Sequence, residues 1–209
     1  MTRLAIFDLD GTLVDSVDDL AASVNHALGA VGLPARTRDE IRSFVGNGAR
    51  VLLERSIGDR PDLLGPALAA WRAHYEEHLL DLTRPYPGIA EALAGAGRPL
   101  AVLTNKPGPM ARRILEGLGL ARHFAAVLGG GEAPPKPDPS GARALLERAG
   151  ARAGDVVLVG DSPVDAETAR NAGIAFVAVT WGLVPRRELV RAGAVTLVDR
   201  AEQLAPWLG

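Results

Sequence analysis

Short apolar runs and longer helical stripes divide this chain into two textures. Leu4-Ala5-Ile6-Phe7, Leu100-Ala101-Val102-Leu103 and Val156-Val157-Leu158-Val159 are continuous apolar runs of strand length with no polar alternation. Such runs predict parallel strands covered on both faces. Further strands are expected near Ala126 to Leu128, Phe176 to Val179 and Val195 to Leu197, alternating with helical segments after Tyr86-Pro87-Gly88. That alternation predicts the α/β class, a parallel sheet with helices on both faces. Between Ser16 and Thr83 no strand pattern is found, and the rhythm changes to three- and four-residue steps. Val17, Leu20, Ala21, Val24, Leu28 and Val31 form one stripe, opened by a predicted N-cap box of Ser16 with Asp19 and stopped by Gly32-Leu33-Pro34. Leu64, Leu68, Trp71, Tyr75 and Leu79 form another, expected to be bundle core rather than an aromatic binding surface. Residues 16–82 therefore read as a helical insertion, and residues 1–15 with 83–209 as the unit that carries the sheet. Ala201 to Leu208 is expected to close the chain as a helix.

Composition narrows the partners. With 209 residues, 47% of them hydrophobic, the chain can bury a sizeable core and still carry an insertion. A formal net charge of -2 offers no basic field for nucleic acid or an anionic membrane. The absence of cysteine excludes disulfides and thiolate metal sites. No apolar run approaches membrane-spanning length, and Asp8 arrives too early for a secretory apolar segment, so a soluble cytoplasmic protein, monomer or homodimer, is expected.

The chemistry is concentrated where apolar runs end. Phe7-Asp8-Leu9-Asp10-Gly11-Thr12-Leu13 follows the first run, and residues two apart on extended backbone project to the same side. Asp8 and Asp10 are thus expected to converge on one small volume at the sheet edge where α/β proteins place their ligands. Two such carboxylates are costly together unless a cation neutralises them or they share protons, and an all-oxygen set suits Mg2+. The second run ends in Thr104-Asn105-Lys106-Pro107, a hydroxyl and free backbone N–H groups ahead of a helix, suited to anionic oxygens. In Ala133-Pro134-Pro135-Lys136-Pro137-Asp138-Pro139, prolines stiffen the loop on both sides of Lys136 and hold its charge in place. The third run leads into Gly160-Asp161-Ser162-Pro163-Val164-Asp165. Ser162 and Pro163 read as an N-cap and first helical residue, with Asp165 as the capping carboxylate, whereas Asp161 has no structural role to explain it.

These four stretches, in this order, resemble the motifs of the haloacid dehalogenase superfamily, in its capped phosphatase branch. The resemblance implies a Rossmann-like core with an inserted helical cap, hinged near Val14-Asp15 and Leu82-Thr83. It implies a small phosphorylated metabolite as substrate and Mg2+ as cofactor. Asp8 would be the nucleophile, forming an aspartyl phosphate, and Asp10 the general acid and later base, beginning the cycle protonated. Thr104 and the Asn105 backbone would hold phosphate oxygens while Lys136 neutralises charge. Asp8, the main-chain carbonyl of Asp10 and Asp161 would hold the metal, with Asp165 orienting Lys136 or a metal-bound water.

Substrate choice is expected to come from the helical insertion. Val45-Gly46-Asn47-Gly48-Ala49-Arg50, ahead of Val51-Leu52-Leu53-Glu54-Arg55, resembles the cap loop of bacterial phosphoglycolate phosphatases, which makes Asn47, Gly48 and Arg50 candidates for specificity, Arg50 as partner of a substrate carboxylate. A phosphatase of sugar phosphates or of N-acetylmuramic acid 6-phosphate and a β-phosphoglucomutase-like mutase stay open as alternatives. A receiver-like signalling module shares the acids, hydroxyl and lysine but has no inserted cap.

Overall fold

The computed structural model describes residues 4–209; residues 1–3 of the predicted sheet-bearing unit lie outside the described residues. Strand β1 (Leu4–Phe7) is buried along its whole length. Ala5 and Phe7 enter one hydrophobic cluster and Leu4 and Ile6 the other, as alternation on a strand requires. After a turn at Gly11, the short strand β2 (Val14–Asp15) leads into α1 (Val17–Ala30), α2 (Arg38–Phe44), α3 (Gly48–Ile57) and α4 (Leu64–Glu77), and β3 (Arg84–Pro85) returns antiparallel to β2.

The chain then alternates: α5 (Ile89–Ala94), β4 (Leu100–Pro107), α6 (Gly108–Gly117), β5 (Phe124–Gly130), α7 (Ser140–Arg148), β6 (Val156–Gly160), α8 (Pro163–Ala172), β7 (Ala175–Val179), α9 (Arg186–Arg191), β8 (Leu197–Val198) and α10 (Ala205–Leu208). Six strands form one parallel sheet in the order β5-β4-β1-β6-β7-β8. β1 lies between β4 and β6, so strand order reverses direction there. A crevice opens at the carboxyl ends of strands at such a reversal, where the polar motifs were expected. Leu145, Leu146, Ala169 and Ala172 from α7 and α8 cover one face of the sheet, and Ile89, Leu93, Ile114 and Leu115 from α5 and α6 pack on the other.

Four details depart from the sequence expectations. β4 runs on through Thr104-Asn105-Lys106-Pro107 instead of ending at Leu103. The last strand is Leu197–Val198, with Val195 almost fully exposed before it. The C-terminal segment begins as a 3-10 turn over Ala201–Leu204 before α10. Ser16 precedes α1 but makes no side-chain cap hydrogen bond, and Asp19 accepts instead from the N–H groups of Leu82 and Thr83 and from the Thr83 hydroxyl. The predicted box is therefore replaced by a buried tie between the start of the helical segment and the chain that leaves it.

Candidate active site

Asp8 stands one residue past β1 and is buried, with its N–H bonded to the Val159 carbonyl of the neighbouring strand. One carboxylate oxygen, Oδ1, receives both the Leu9 N–H at 2.7 Å and the Lys136 ammonium at 2.8 Å. Lys136 also reaches Oδ1 of Asp165 at 2.7 Å, and its own N–H donates to Oδ1 of Asn105 at 2.8 Å. The proline-flanked loop thus does hold one lysine in place, buried between two carboxylates. Burial alone would discharge it, but Asp165 and Asp8 outweigh that and hold its pKa above the ordinary lysine value.

Asp165 plays the capping part read from the sequence. Ser162 and Asp165 form a reciprocal box at the start of α8, with Pro163 at its first position, and the Asp165 oxygen left over faces Lys136. Asp161, at the end of β6, accepts from the Thr12 hydroxyl at 3.0 Å and from the Leu183 N–H at 2.7 Å. Gly11 has φ +86°, and a Cβ there would come within 2.3 Å of Asp161 Oδ2, so only glycine lets the turn after Asp10 pass this close to the acid.

Asp8, Asp161 and Asp165 bring carboxylate oxygens within 4.8 Å of one another, all buried. Burial pushes Asp8 up to about 7, with Lys136 opposing the rise and Asp165 adding to it. Burial, then Asp165 and Asp8, push Asp161 up to about 8. Three buried acids against one lysine leave negative charge uncompensated, which is what a cation site built of hard oxygen donors presents.

Asp10 lines the same cavity as Asp8, with its carboxylate engaged apart from the Asp8, Asp161 and Asp165 cluster. Its carboxylate is ion-paired with Lys106, whose ammonium reaches both oxygens at 2.9 and 3.1 Å, and it accepts a short hydrogen bond from the Ser16 hydroxyl. Lys106 is buried with its ammonium 4.7 Å from the centre of the Tyr75 ring. Burial opposes its charge, yet Asp10 and then Tyr75 raise its pKa above the usual value. Sequence reasoning quoted Lys106 within its motif but gave it no part. The available signal was its position two residues beyond Thr104 on the extended strand, hence on the same side.

Asp8, Asp10, Thr104, Asn105 and Lys106 form the polar wall of one cavity, and Leu20, Val45, Gly46, Gly48, Ala49, Leu52 and Trp71 supply the opposite wall from the helical segment. Thr104 is buried and its hydroxyl accepts from the Lys106 N–H. The Asn105 amide donates to the Gly46 carbonyl at 3.0 Å and to the Lys136 carbonyl at 3.1 Å. Arg42, also missed from sequence, donates from α2 to the carbonyls of Gly182 and Leu183 beside Asp161.

Arg50 is not in this wall. Its Nε pairs with Glu54 Oε1 at 2.8 Å one turn along α3, and its side chain is 71% exposed. Asn47 occupies the N-cap of α3 without a side-chain cap hydrogen bond, so from the predicted loop it is Gly48, with Gly46, that meets the cavity.

Fold and site together define an α/β hydrolytic enzyme whose acids gather at the reversal point of a parallel sheet. Among the described residues no helix is long and apolar enough to cross a membrane. The sequence model of the haloacid dehalogenase-like hydrolases matches residues 5–179, and the chain belongs to that family. It is 42% identical over 200 residues to a phosphoglycolate phosphatase of Agrobacterium fabrum, covering 90% of this chain and 86% of that one. It is 39% identical to a phosphoglycolate phosphatase of Rhodospirillum rubrum, covering 100% of this chain and 92% of that one. A crystal structure of a predicted phosphoglycolate phosphatase from Haemophilus somnus superposes with a TM-score of 0.92 at 32% identity, over 98% of this chain and 97% of its own.

Proposed function

We propose that the protein hydrolyses a small phosphate monoester, 2-phosphoglycolate, to glycolate and phosphate through an aspartyl phosphate on Asp8. The observation that carries this reading is the pair of contacts on Asp8 Oδ1, from Leu9 and Lys136, which leave Oδ2 as the oxygen to attack phosphorus. In the first step the Asp8 Oδ2–P bond forms and the ester P–O bond breaks, while Asp10, which is ion-paired with Lys106 and must take up a proton as substrate binds, gives that proton to the departing glycolate oxygen. In the second step water attacks phosphorus, Asp10 takes its proton and the acyl phosphate releases phosphate, restoring Asp8. The Thr104 hydroxyl, the main-chain N–H of Asn105 and the Lys136 ammonium would offer donors to the phosphate oxygens, the Asn105 amide being spent on Gly46 and Lys136, and Lys136 would offset charge on Asp8 throughout.

The donor set fits Mg2+: the acids are oxygen-only, crowded, buried and pushed toward protonation without a cation. Asp8, Asp161 and the carbonyl of Asp10 would hold it, with Asp165 committed to Lys136 and Ser162 in support. When bound, the ion supplies charge neutralisation and alignment of the phosphate. Residues 16–82 would act as a cap that supplies the apolar wall and excludes water from the core of residues 1–15 and 83–209. The names of the relatives and the mixed cavity support glycolate as the leaving group.

A screen of small phosphometabolites with Mg2+, scored by kcat/KM for phosphate release, tests the reading. Preference for phosphoglycolate over hexose phosphates is expected. Equal or better turnover of hexose phosphates, or a stable phosphoprotein without turnover, would overturn it.

A further inference from the structure

Trp71 carries a buried hydrogen-bond donor that no other described residue satisfies. It lies on α4, is 2% exposed, and its indole Nε1 has no partner among the described residues, although buried indole N–H groups usually find one. The same residue walls the cavity that Asp8 and Lys106 line. Tyr75, one turn along, stacks on it with ring centres 5.2 Å apart and planes 29° apart, which limits how far the indole can turn.

The start of α3 adds main-chain donors to this wall. Gly48 and Ala49 open α3, whose first-turn N–H groups receive no side-chain cap, and the Gly46 carbonyl is already spent on Asn105. Arg50 points to solvent with Glu54, and residues 16–83 contain no lysine. A ligand group that satisfies such a wall must accept hydrogen bonds without donating any, and an ionised carboxylate does that.

We propose that Trp71 determines specificity by donating its indole N–H to a carboxylate oxygen at the end of the substrate remote from phosphorus. This rests on the phosphoglycolate reading and assigns the carboxylate a partner in place of Arg50. Loss of a donor to a charged acceptor lowers affinity roughly 10- to 100-fold. Ethyl phosphate, which lacks the acceptor, should lose little.

The test compares kcat/KM for phosphoglycolate and for ethyl phosphate in the wild type and in Trp71→Phe. A wild-type preference for phosphoglycolate that falls at least tenfold in the variant, chiefly through KM, supports the assignment. A preference that survives within twofold overturns the role of Trp71 and leaves the proposed function standing. No preference in the wild type overturns both. Should Trp71→Phe not fold, the indole resonances of the wild type, labelled with 15N and assigned by Trp181→Phe and Trp207→Phe, give the same answer. The Trp71 signal should shift with 3-phosphonopropionate and not with propylphosphonate; equal responses to the two would overturn the proposal.

Discussion

Asp19→Ala should destabilise the protein severely although Asp19 touches no part of the cavity's polar wall. Asp19 is 3% exposed, and its oxygens accept from Leu82 N–H at 2.9 and 3.1 Å, Thr83 N–H at 2.8 Å and the Thr83 hydroxyl at 2.6 Å. Hydrogen bonds to a charged acceptor contribute about 1.5–3 kcal/mol each. Leu82 is exposed and its N–H can turn to water, but Thr83 is fully buried and loses both of its bonds outright. The expected loss is therefore about 3–5 kcal/mol, a fall in Tm on the order of 10 °C for a chain of this length. Asp19→Asn keeps one acceptor oxygen and turns an NH2 toward the remaining donor, so it should lose about half as much. Were Asp19 only a residue in the first turn of α1, the alanine variant would lose about 1 kcal/mol and asparagine almost nothing. Urea denaturation followed by circular dichroism measures both, and an alanine loss under about 1 kcal/mol with an unchanged m value would refute the buried tie.

Replacing Asp8 with Asn should abolish phosphate release while leaving the fold intact, and turnover above contaminating wild type, with deamidation controlled, would remove it as nucleophile. Arg50→Ala should keep kcat/KM within about twofold because its partner is Glu54 at the surface, where such pairs contribute little; a tenfold loss on phosphoglycolate would show that it reaches substrate. Lys106→Met leaves Asp10 with the Ser16 hydroxyl alone and should lower kcat at least tenfold with a smaller change in KM, as steady-state kinetics will show. Without metal, stability should decline as pH rises from about 4 to 8, because Asp8 and Asp161 titrate near 7 and 8 in the folded state and near 4 when unfolded. Mg2+ competes with those protons, so its stabilisation in thermal melts should be greater at pH 8.5 than at pH 6, and equal shifts at both would count against these acids as its ligands.

What the sequence made legible follows from distance along the chain. Strand-end motifs could be read because an apolar run and its polar terminus are contiguous, and two reciprocal contacts, the Ser162 and Asp165 box and the pinned Lys136, span few residues or are stiffened by proline. Arg50 and Glu54 at i,i+4 also offered a local pairing, and it wins over the longer-range role assigned to the arginine. Ser16 and Asp19 fitted a local box equally well, yet Ser16 turns back to Asp10 across the Gly11 turn and Asp19 is claimed by Thr83 at the far end of the helical segment, contacts that propensity does not register. Trp71 sits on the helical stripe that burial demands, and periodicity cannot distinguish an aromatic ring that faces other side chains from one that borders a cavity.

The Asn105 amide bonds twice to Lys136 and once to Gly46. It works as an asymmetric latch. Loss of the bond to Gly46 would cost about 1 kcal/mol net and leave both bonds to the Lys136 main chain in place. The main chain that carries Lys136 is thus fastened to β4 independently of the helical segment.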